Sequence, residues 1–139
     1  MSIDSFENIE RFVMNTGGIP LMAEMLEKRK VSSVNVRHIN IWGNCTALMF
    51  QAGYGTIEGM EFLMASKPPA LVNLQDSIGW TALHWAVNST AKLRFLLDNG
   101  ADKTIRTNDG ATALEHARRY NCPKECIEVL KSYTPKLRG

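Results

Sequence analysis

Residues 79–110 decide the fold, and they read GWTALHWAVNSTAKLRFLLDNGADKTIRTNDG. Thr81 is suited to cap a helix, because apolar residues recur after it at helical spacing. A second apolar run follows and ends at Asn99 and Gly100, a pair suited to the left-handed backbone that terminates helices. Three short polar residues between the two runs favour a turn. The stretch therefore predicts a helical hairpin.

The tripeptide Thr-Ala-Leu occurs three times, at Thr46, Thr81 and Thr112, in steps of 35 and 31 residues. A lone hairpin buries little apolar surface, whereas stacked copies bury a continuous core. The steps average 33 residues, the ankyrin period, and the pattern resembles the ankyrin repeat. The matching residues are Gly79, Thr81, Leu83, His84, Ala86, Leu96, Leu97, Gly100, Ala101 and Asp102. The resemblance implies an all-α solenoid of about four helix-turn-helix repeats with capping terminal repeats.

This resemblance covers about residues 40–133 and predicts a single ankyrin-repeat domain over residues 1–139. The predicted divisions are a degenerate N-terminal capping repeat (1–39), a second repeat (40–75), a third (76–106), a C-terminal capping repeat (107–134) and a tail (135–139). Alanine stands in all three copies where the family usually has proline. The 31-residue step predicts the loss of two residues from the turn between the helices of the third repeat.

The N-terminal part predicts another helical hairpin. Ser2 or Asp4 can cap a first helix with an apolar stripe, and Pro20 suits the first turn of a second helix. Residues 17–20 and the following helix also bear a weaker resemblance to an armadillo repeat. In that alternative residues 35–50 form one long helix, whereas the ankyrin interpretation places a loop there and starts a helix at Thr46.

We favour the ankyrin interpretation, because residues 53–58 resemble the inter-helix turn of that family. Two residues depart from the pattern. Gln51 stands where the family usually has a small buried residue, and Gly43 lies one residue too far from Thr46.

Composition is ordinary for a globular protein, with 45% apolar residues, 22% charged residues and a formal net charge of +2. That charge is well short of the basic excess typical of a nucleic-acid binder. Three cysteines form no even disulfide framework, and no apolar signal segment follows Met1. No apolar run approaches the roughly 20 residues that span a bilayer. We therefore expect a monomer in the cytoplasm or the nucleus, without membrane or nucleic-acid binding.

The sequence offers no constellation for chemistry, and we expect no catalytic residue, metal or cofactor. The resemblance implies that His84 hydrogen-bonds within its turn and holds adjacent repeats in register. His116 falls at an inward helix position and His38 in a loop. Cys122 and Cys126 are one pair only, whereas structural zinc sites normally draw on two.

A binding surface is better indicated. In ankyrin stacks the concave face, formed by loop tips and first helices, receives the partner, and the resemblance implies that specificity falls on the variable positions. These are Trp42, Asn44, Tyr54, Ser77, Ile78, Trp80, Asn88, Asn108, Asp109, Arg119 and Tyr120.

Trp80 is the strongest candidate, because tryptophan is enriched in interface hot spots. The alternative is that Trp80 packs near Ile78 or Ile105 and clamps the stack. We expect Trp85 to lie in the core. An aromatic cage of Trp42, Tyr54 and Trp80 for a methylated lysine is a weaker possibility.

The favoured function is a protein-protein interaction module, an adaptor or an inhibitor that binds a protein partner and no small-molecule substrate. The alternative is a structural segment of a larger assembly. An enzyme or a metal protein ranks third.

Overall fold

The computed structural model describes residues 4–14, 17–38 and 43–134, together with the backbone but not the side chain of Phe6. These ranges contain eight helices and one antiparallel pair of two-residue strands. The chain divides into two compact units, residues 1–71 and 72–139. We describe each unit by itself.

The first unit contains four helices and the strand pair. In chain order the elements are α1 (Phe6–Val13), α2 (Gly18–Glu27), β1 (Arg37–His38), β2 (Cys45–Thr46), α3 (Ala47–Tyr54) and α4 (Ile57–Ala65). Ser5 caps α1 and accepts a hydrogen bond from the Asn8 amide (3.2 Å), so the predicted cap at Ser2 or Asp4 was wrong. Asp4 instead accepts the Ser32 amide (2.6 Å) and fastens the loop after α2.

The core of the first unit lies where α1 packs on α3 and α2 packs on α4. Its largest fully buried side chains are Phe12, Met22, Leu48, Met49, Met60, Leu63 and His38. Each buried apolar side chain of this size contributes about 1.5–3 kcal/mol relative to exposure. Two hairpins that are each too small to fold alone therefore share one core.

The stretch before α3 decides between the two N-terminal interpretations. β1 pairs with β2, with Arg37 opposite Thr46 and His38 opposite Cys45. Gly43 and Asn44 have left-handed φ angles of 65° and 61°. Thr46 then caps α3 and accepts the Met49 amide (3.3 Å). These residues are not helical, so the single long helix of the armadillo alternative was wrong.

The second unit contains α5 (Ala82–Trp85), α6 (Thr90–Asp98), α7 (Ala113–Arg119) and α8 (Lys124–Ser132). Helix α5 packs on α7, and α6 packs on α8. Four residues link α5 to α6 and four link α7 to α8, but α5 itself has only four residues. The two residues missing from the third repeat were therefore lost from its first helix and not, as predicted, from the turn.

Helix α6 ends as its sequence predicted. Gly100 has a φ of 92°, the Gly100 amide donates to the Leu97 carbonyl (3.2 Å), and the Ala101 amide donates to the Leu96 carbonyl (2.9 Å). This pair of bonds is the Schellman motif, which satisfies the last carbonyls of a helix.

The all-α fold of ankyrin type is confirmed, with the two short strands as an addition. One helix pair lies in each of the four predicted segments, although the repeat boundaries and the single domain stay predictions. The predicted tail at 135–139 lies outside the described residues.

Candidate functional site

Two loops of the second unit, residues 76–80 and 107–111, share one geometry at a spacing of 31 residues. In each loop the first amide donates to the last carbonyl over 2.8 Å. Gly79 has a φ of 87°, and a Cβ added to it would lie 2.6 Å from the Asn108 backbone nitrogen. Only glycine meets both conditions, so the glycine of the repeat is set by the approach of the next loop.

Hydrogen bonds tie the second loop to the first. The Asn108 amide donates to the Ile78 carbonyl and its side-chain amide donates to the Ser77 carbonyl, each over 3.0 Å. Ser77 and Asn108, both predicted to bind a partner, thus contact each other. The Ile78 side chain stays 54% exposed beside them.

Asp76 organises the first loop. Its carboxylate is only 7% exposed and accepts three N–H groups. One oxygen accepts the amides of Ile78 (3.1 Å) and Trp80 (2.9 Å), and the other accepts the indole N–H of Trp85 (3.1 Å). Asp76 therefore fixes both tryptophans, one through its backbone and one through its ring.

His84 joins the two repeats of this unit, as the family resemblance implied. Its Nδ1 accepts the Thr81 amide (3.1 Å), and because an amide can only donate, the ring proton lies on Nε2. Nε2 donates to the Ala111 carbonyl of the following loop (3.0 Å). Burial lowers the pKa of His84, which keeps the ring neutral.

Four rings follow one another on this unit in the order Trp85, Trp80, His116, Tyr120, which we call the aromatic row. Successive centroids are 5.9, 4.3 and 4.7 Å apart. Trp80 meets Trp85 and His116 edge to face, at interplanar angles of 77°. Such contacts are favourable beyond the area they bury.

The row is buried in part. Trp80 and Trp85 are half-buried, and Tyr120 is 59% exposed. His116 lies beneath them as a buried histidine, and burial, followed by the neighbouring His84 and Arg119, lowers its pKa to about 4. The ring is therefore neutral at pH 7 and packs as an aromatic group.

Asp109 and Arg119 form an exposed ion pair of 2.6 Å next to the row. The Thr107 hydroxyl also donates to Asp109, and this bond, followed by Arg119, lowers the pKa of the carboxyl group. Both residues were predicted to bind a partner. The structure shows them bonded to each other at the edge of the row.

The remaining predicted residues are scattered. Tyr54 is 64% exposed in the first unit, with its ring centroid 5.5 Å from that of Phe50. The Asn44 carbonyl accepts a hydrogen bond from Arg37 (3.1 Å), and Asn88 is exposed in the second unit. Trp42 lies outside the described residues, and so does its part in the aromatic cage.

Two features of the site were missed. Trp85 was expected in the core, but it is half-buried, because its short helix turns the ring towards Asp76 and Trp80. Asp76 itself was not singled out. Its signal was a carboxylate three residues before a loop glycine, where it can accept the amides of a tight turn.

Chemistry has no comparable centre among the described residues, where no group of three or more histidine, cysteine or acidic side chains could hold a metal ion. Cys45, Cys122 and Cys126 are free and buried. Burial raises the pKa of the Cys122 and Cys126 thiols, which disfavours the reactive thiolate.

The family model of ankyrin repeats, described as three copies, matches residues 12–107 and 48–138. The chain belongs to the ankyrin-repeat family. Ankyrin repeats are protein-interaction modules, and the family is generally non-enzymatic. In the parts of the chain that the structure describes, no helix has the length and apolar character to span a bilayer.

Three relatives are similar over most of this ankyrin-repeat chain. It is 32% identical to ankyrin repeat and SAM domain-containing protein 6 of Rattus norvegicus, over 75% of this chain and 12% of that protein. It is 33% identical to a putative ankyrin repeat protein of Fowlpox virus (65% and 27%) and 34% identical to an L-asparaginase of Dirofilaria immitis (71% and 16%). The chain thus spans between about an eighth and a quarter of these relatives.

Among solved structures, one chain of the complex between the predatory endopeptidase Bd0816 of Bdellovibrio bacteriovorus and immunity protein Bd3460 is similar. Its TM-score is 0.62 at 25% identity, over 81% of this ankyrin-repeat chain and 56% of that chain.

Proposed function

We propose that the chain is a protein-binding module, an adaptor or a stoichiometric inhibitor without catalytic activity, whose partner docks on the aromatic row of the second unit. Membership of a family of interaction modules supports the class of function. The similar chain in the complex of an endopeptidase with an immunity protein supports the inhibitor role as one form of it.

The observation that carries the proposal is the partial exposure of the row. Tryptophan, tyrosine and arginine dominate interface hot spots, and these residue types meet at Trp80, Trp85, Tyr120 and Arg119. The tryptophans are held by Asp76, so little side-chain freedom remains to be lost on binding. Ile78 adds an exposed apolar group on the loop of Trp80.

Trp80 has both of the roles that the sequence left open. It packs within the unit, although against His116 and Trp85 and not against Ile105. Its half-buried ring also leaves a face to solvent, as hot-spot residues do before a partner covers them. We propose that a partner inserts an apolar side chain against this ring and against Tyr120.

Affinity capture from extract of the source cells tests the proposal. Wild type is compared with Tyr120→Ala and Trp80→Ala, and Leu71→Ala is the control, since Leu71 is equally exposed but lies in the first unit. Circular dichroism establishes that each variant folds. A protein captured by wild type and Leu71→Ala but lost with both row variants supports the proposal, and identical captures by all four contradict it.

The captured protein is then produced alone and titrated with each variant. A hot-spot residue is worth at least about 2 kcal/mol, so Trp80→Ala should weaken binding about 30-fold. Stoichiometric loss of the partner's own activity on binding distinguishes an inhibitor from an adaptor.

A further inference from the structure

A second surface of the second unit has a different character. A groove of about 520 Å³ lies between the 103–106 loop, α7 and α8. Its lining contains four cations, Lys103, Arg106, Arg118 and Lys131, and two leucines, Leu114 and Leu130. The remaining lining residues are two threonines, so no carboxylate lines it among the residues that the structure describes. We call it the basic groove.

Two of the cations are held in place. Lys103 Nζ donates to the carbonyls of Leu130 and Tyr133 at the end of α8, over 3.3 Å each. Arg106 donates to the Gly110 carbonyl (2.6 Å). Cations fixed in this way lose little side-chain freedom when an anion arrives, and Arg118 adds an exposed guanidinium on α7.

Carboxylates that approach the groove already belong to weak surface pairs. Arg106 lies 3.1 Å from Glu115, and Lys131 lies 3.9 Å from Glu128, with all four side chains about half exposed. Surface ion pairs of this kind contribute little to stability. An incoming carboxylate can therefore replace Glu115 or Glu128 as the partner of these cations.

The leucines narrow the class of ligand. Leu130 is buried and Leu114 is half-buried, so the groove presents apolar surface between its charges. Single-stranded nucleic acid is held by stacking of its bases on aromatic rings, and no ring is among the described lining residues. Residues 135–139 carry two further cations, Lys136 and Arg138, so like charge opposes their docking here.

We propose that the basic groove docks an acidic segment of a partner protein in which carboxylates alternate with apolar side chains. Its carboxylates would meet Arg118, Arg106 and Lys131, and its apolar groups would cover Leu114. This surface is distinct from the aromatic row, so the chain offers two separate contacts and can bind two segments of one partner or two partners.

Fluorescence anisotropy with a labelled peptide tests the proposal on the full chain. The probe is a peptide of roughly 12 residues in which glutamates alternate with leucine pairs. One comparison peptide replaces leucine by serine, and another replaces glutamate by lysine. We expect saturable binding of the first peptide, weaker binding of the second and none of the third.

Charge reversal identifies the groove. Arg118→Glu and, independently, Lys131→Glu should weaken binding of the acidic peptide about tenfold, because close charge pairs of this kind contribute that much. The control is Lys124→Glu, an equal change of net charge at an exposed residue of α8 outside the groove, which should change affinity less than about twofold. Circular dichroism again establishes folding.

The result is independent of the proposed function, because Trp80→Ala and Tyr120→Ala should leave affinity for this peptide unchanged. Equal losses in Arg118→Glu and Lys124→Glu would show non-specific attraction and overturn the proposal. So would the absence of saturable binding to folded wild type, or tighter binding of a single-stranded oligonucleotide than of the acidic peptide.

Discussion

The two units build the same helix start with different atoms. In the first unit the Thr46 amide donates to the sulfur of Met49 (3.4 Å), and in the second the Thr81 amide donates to Nδ1 of His84 (3.1 Å). A sulfur acceptor satisfies the amide weakly, whereas the imidazole satisfies it well. The imidazole also has a second nitrogen, which reaches Ala111.

The first unit makes its corresponding polar tie within one helix pair. The side-chain oxygen of Gln51 accepts the Thr56 amide at the start of α4 (2.9 Å). Gln51 is buried, and it fits because two glycines, Gly55 and Gly59, leave space for it. The comparison shows that the threonine can keep its place while the residue that stabilises its turn, and the distance over which that residue acts, both change.

The largest expected effect comes from His84→Ala. The substitution leaves the Thr81 amide and the Ala111 carbonyl buried without their partner, and it opens a cavity. We expect a loss of about 3–4 kcal/mol in the free energy of unfolding, measured by urea denaturation. The control at the equivalent position is Met49→Leu, which conserves volume and should cost less than about 1.5 kcal/mol. Similar losses in both variants would remove the difference between the units.

The next effect tests Gln51 and changes sign with background. A Cβ added to Gly59 would lie 2.3 Å from the Gln51 side-chain oxygen, so Gly59→Ala should displace Gln51 from the Thr56 amide and cost about 2 kcal/mol. In a Gln51→Ala background the space is free, and alanine is about 1 kcal/mol better than glycine inside a helix. Gly59→Ala should therefore stabilise that background. Additive effects in this double-mutant cycle would contradict the proposed fit.

Sequence predicted the fold where local signals were strong. Three Thr-Ala-Leu copies and a glycine after α6 located the helix starts and the end of α6, because caps and left-handed turns depend on a few adjacent residues. The shortening of α5 was misplaced, since helix and turn can each lose residues without changing the repeat spacing. Gln51 looked like a departure because its compensation lies four and eight residues later, at Gly55 and Gly59.

The candidate site was predicted less completely. The loop residues were identified from their variable positions, but the contacts among them were not, because Asn108 and Ser77 meet only when two loops stack. Trp85 was assigned to the core because an aromatic residue on a short helix resembles a buried one. Its indole N–H needs a polar partner, and Asp76 supplies it at the surface.

Acid should weaken the second unit through its histidines. The folded pKa of His116 is about 4 and that of His84 is also lowered, whereas an unfolded histidine titrates near 6.5. Between pH 6.5 and 4 the unfolded chain therefore binds more protons, so stability falls as the pH is lowered through this window. After allowance for solvent screening, we expect His116 to account for about 1–2 kcal/mol. Urea denaturation at pH 7 and pH 4.5 should show that loss in wild type and a smaller one in His116→Leu, and equal losses would assign the acid sensitivity elsewhere.

The smallest effect concerns helix ends and should stabilise the protein. Helix α2 closes with the same two hydrogen bonds as α6, from Lys30 to Met25 (2.7 Å) and from Arg29 to Leu26 (3.2 Å). The left-handed residue is Arg29, with a φ of 56°, where α6 has Gly100. Arg29→Gly relieves the strain of a side chain in this conformation, in part offset by the freedom that glycine adds to the unfolded chain, and should raise stability by about 0.5–1 kcal/mol. The reciprocal Gly100→Ala places a Cβ where no atom lies within 4 Å, so any loss there measures backbone strain alone. If Arg29→Gly destabilises the protein while Gly100→Ala does so too, the arginine side chain contributes packing that outweighs its strained backbone, and the two helix ends are not equivalent.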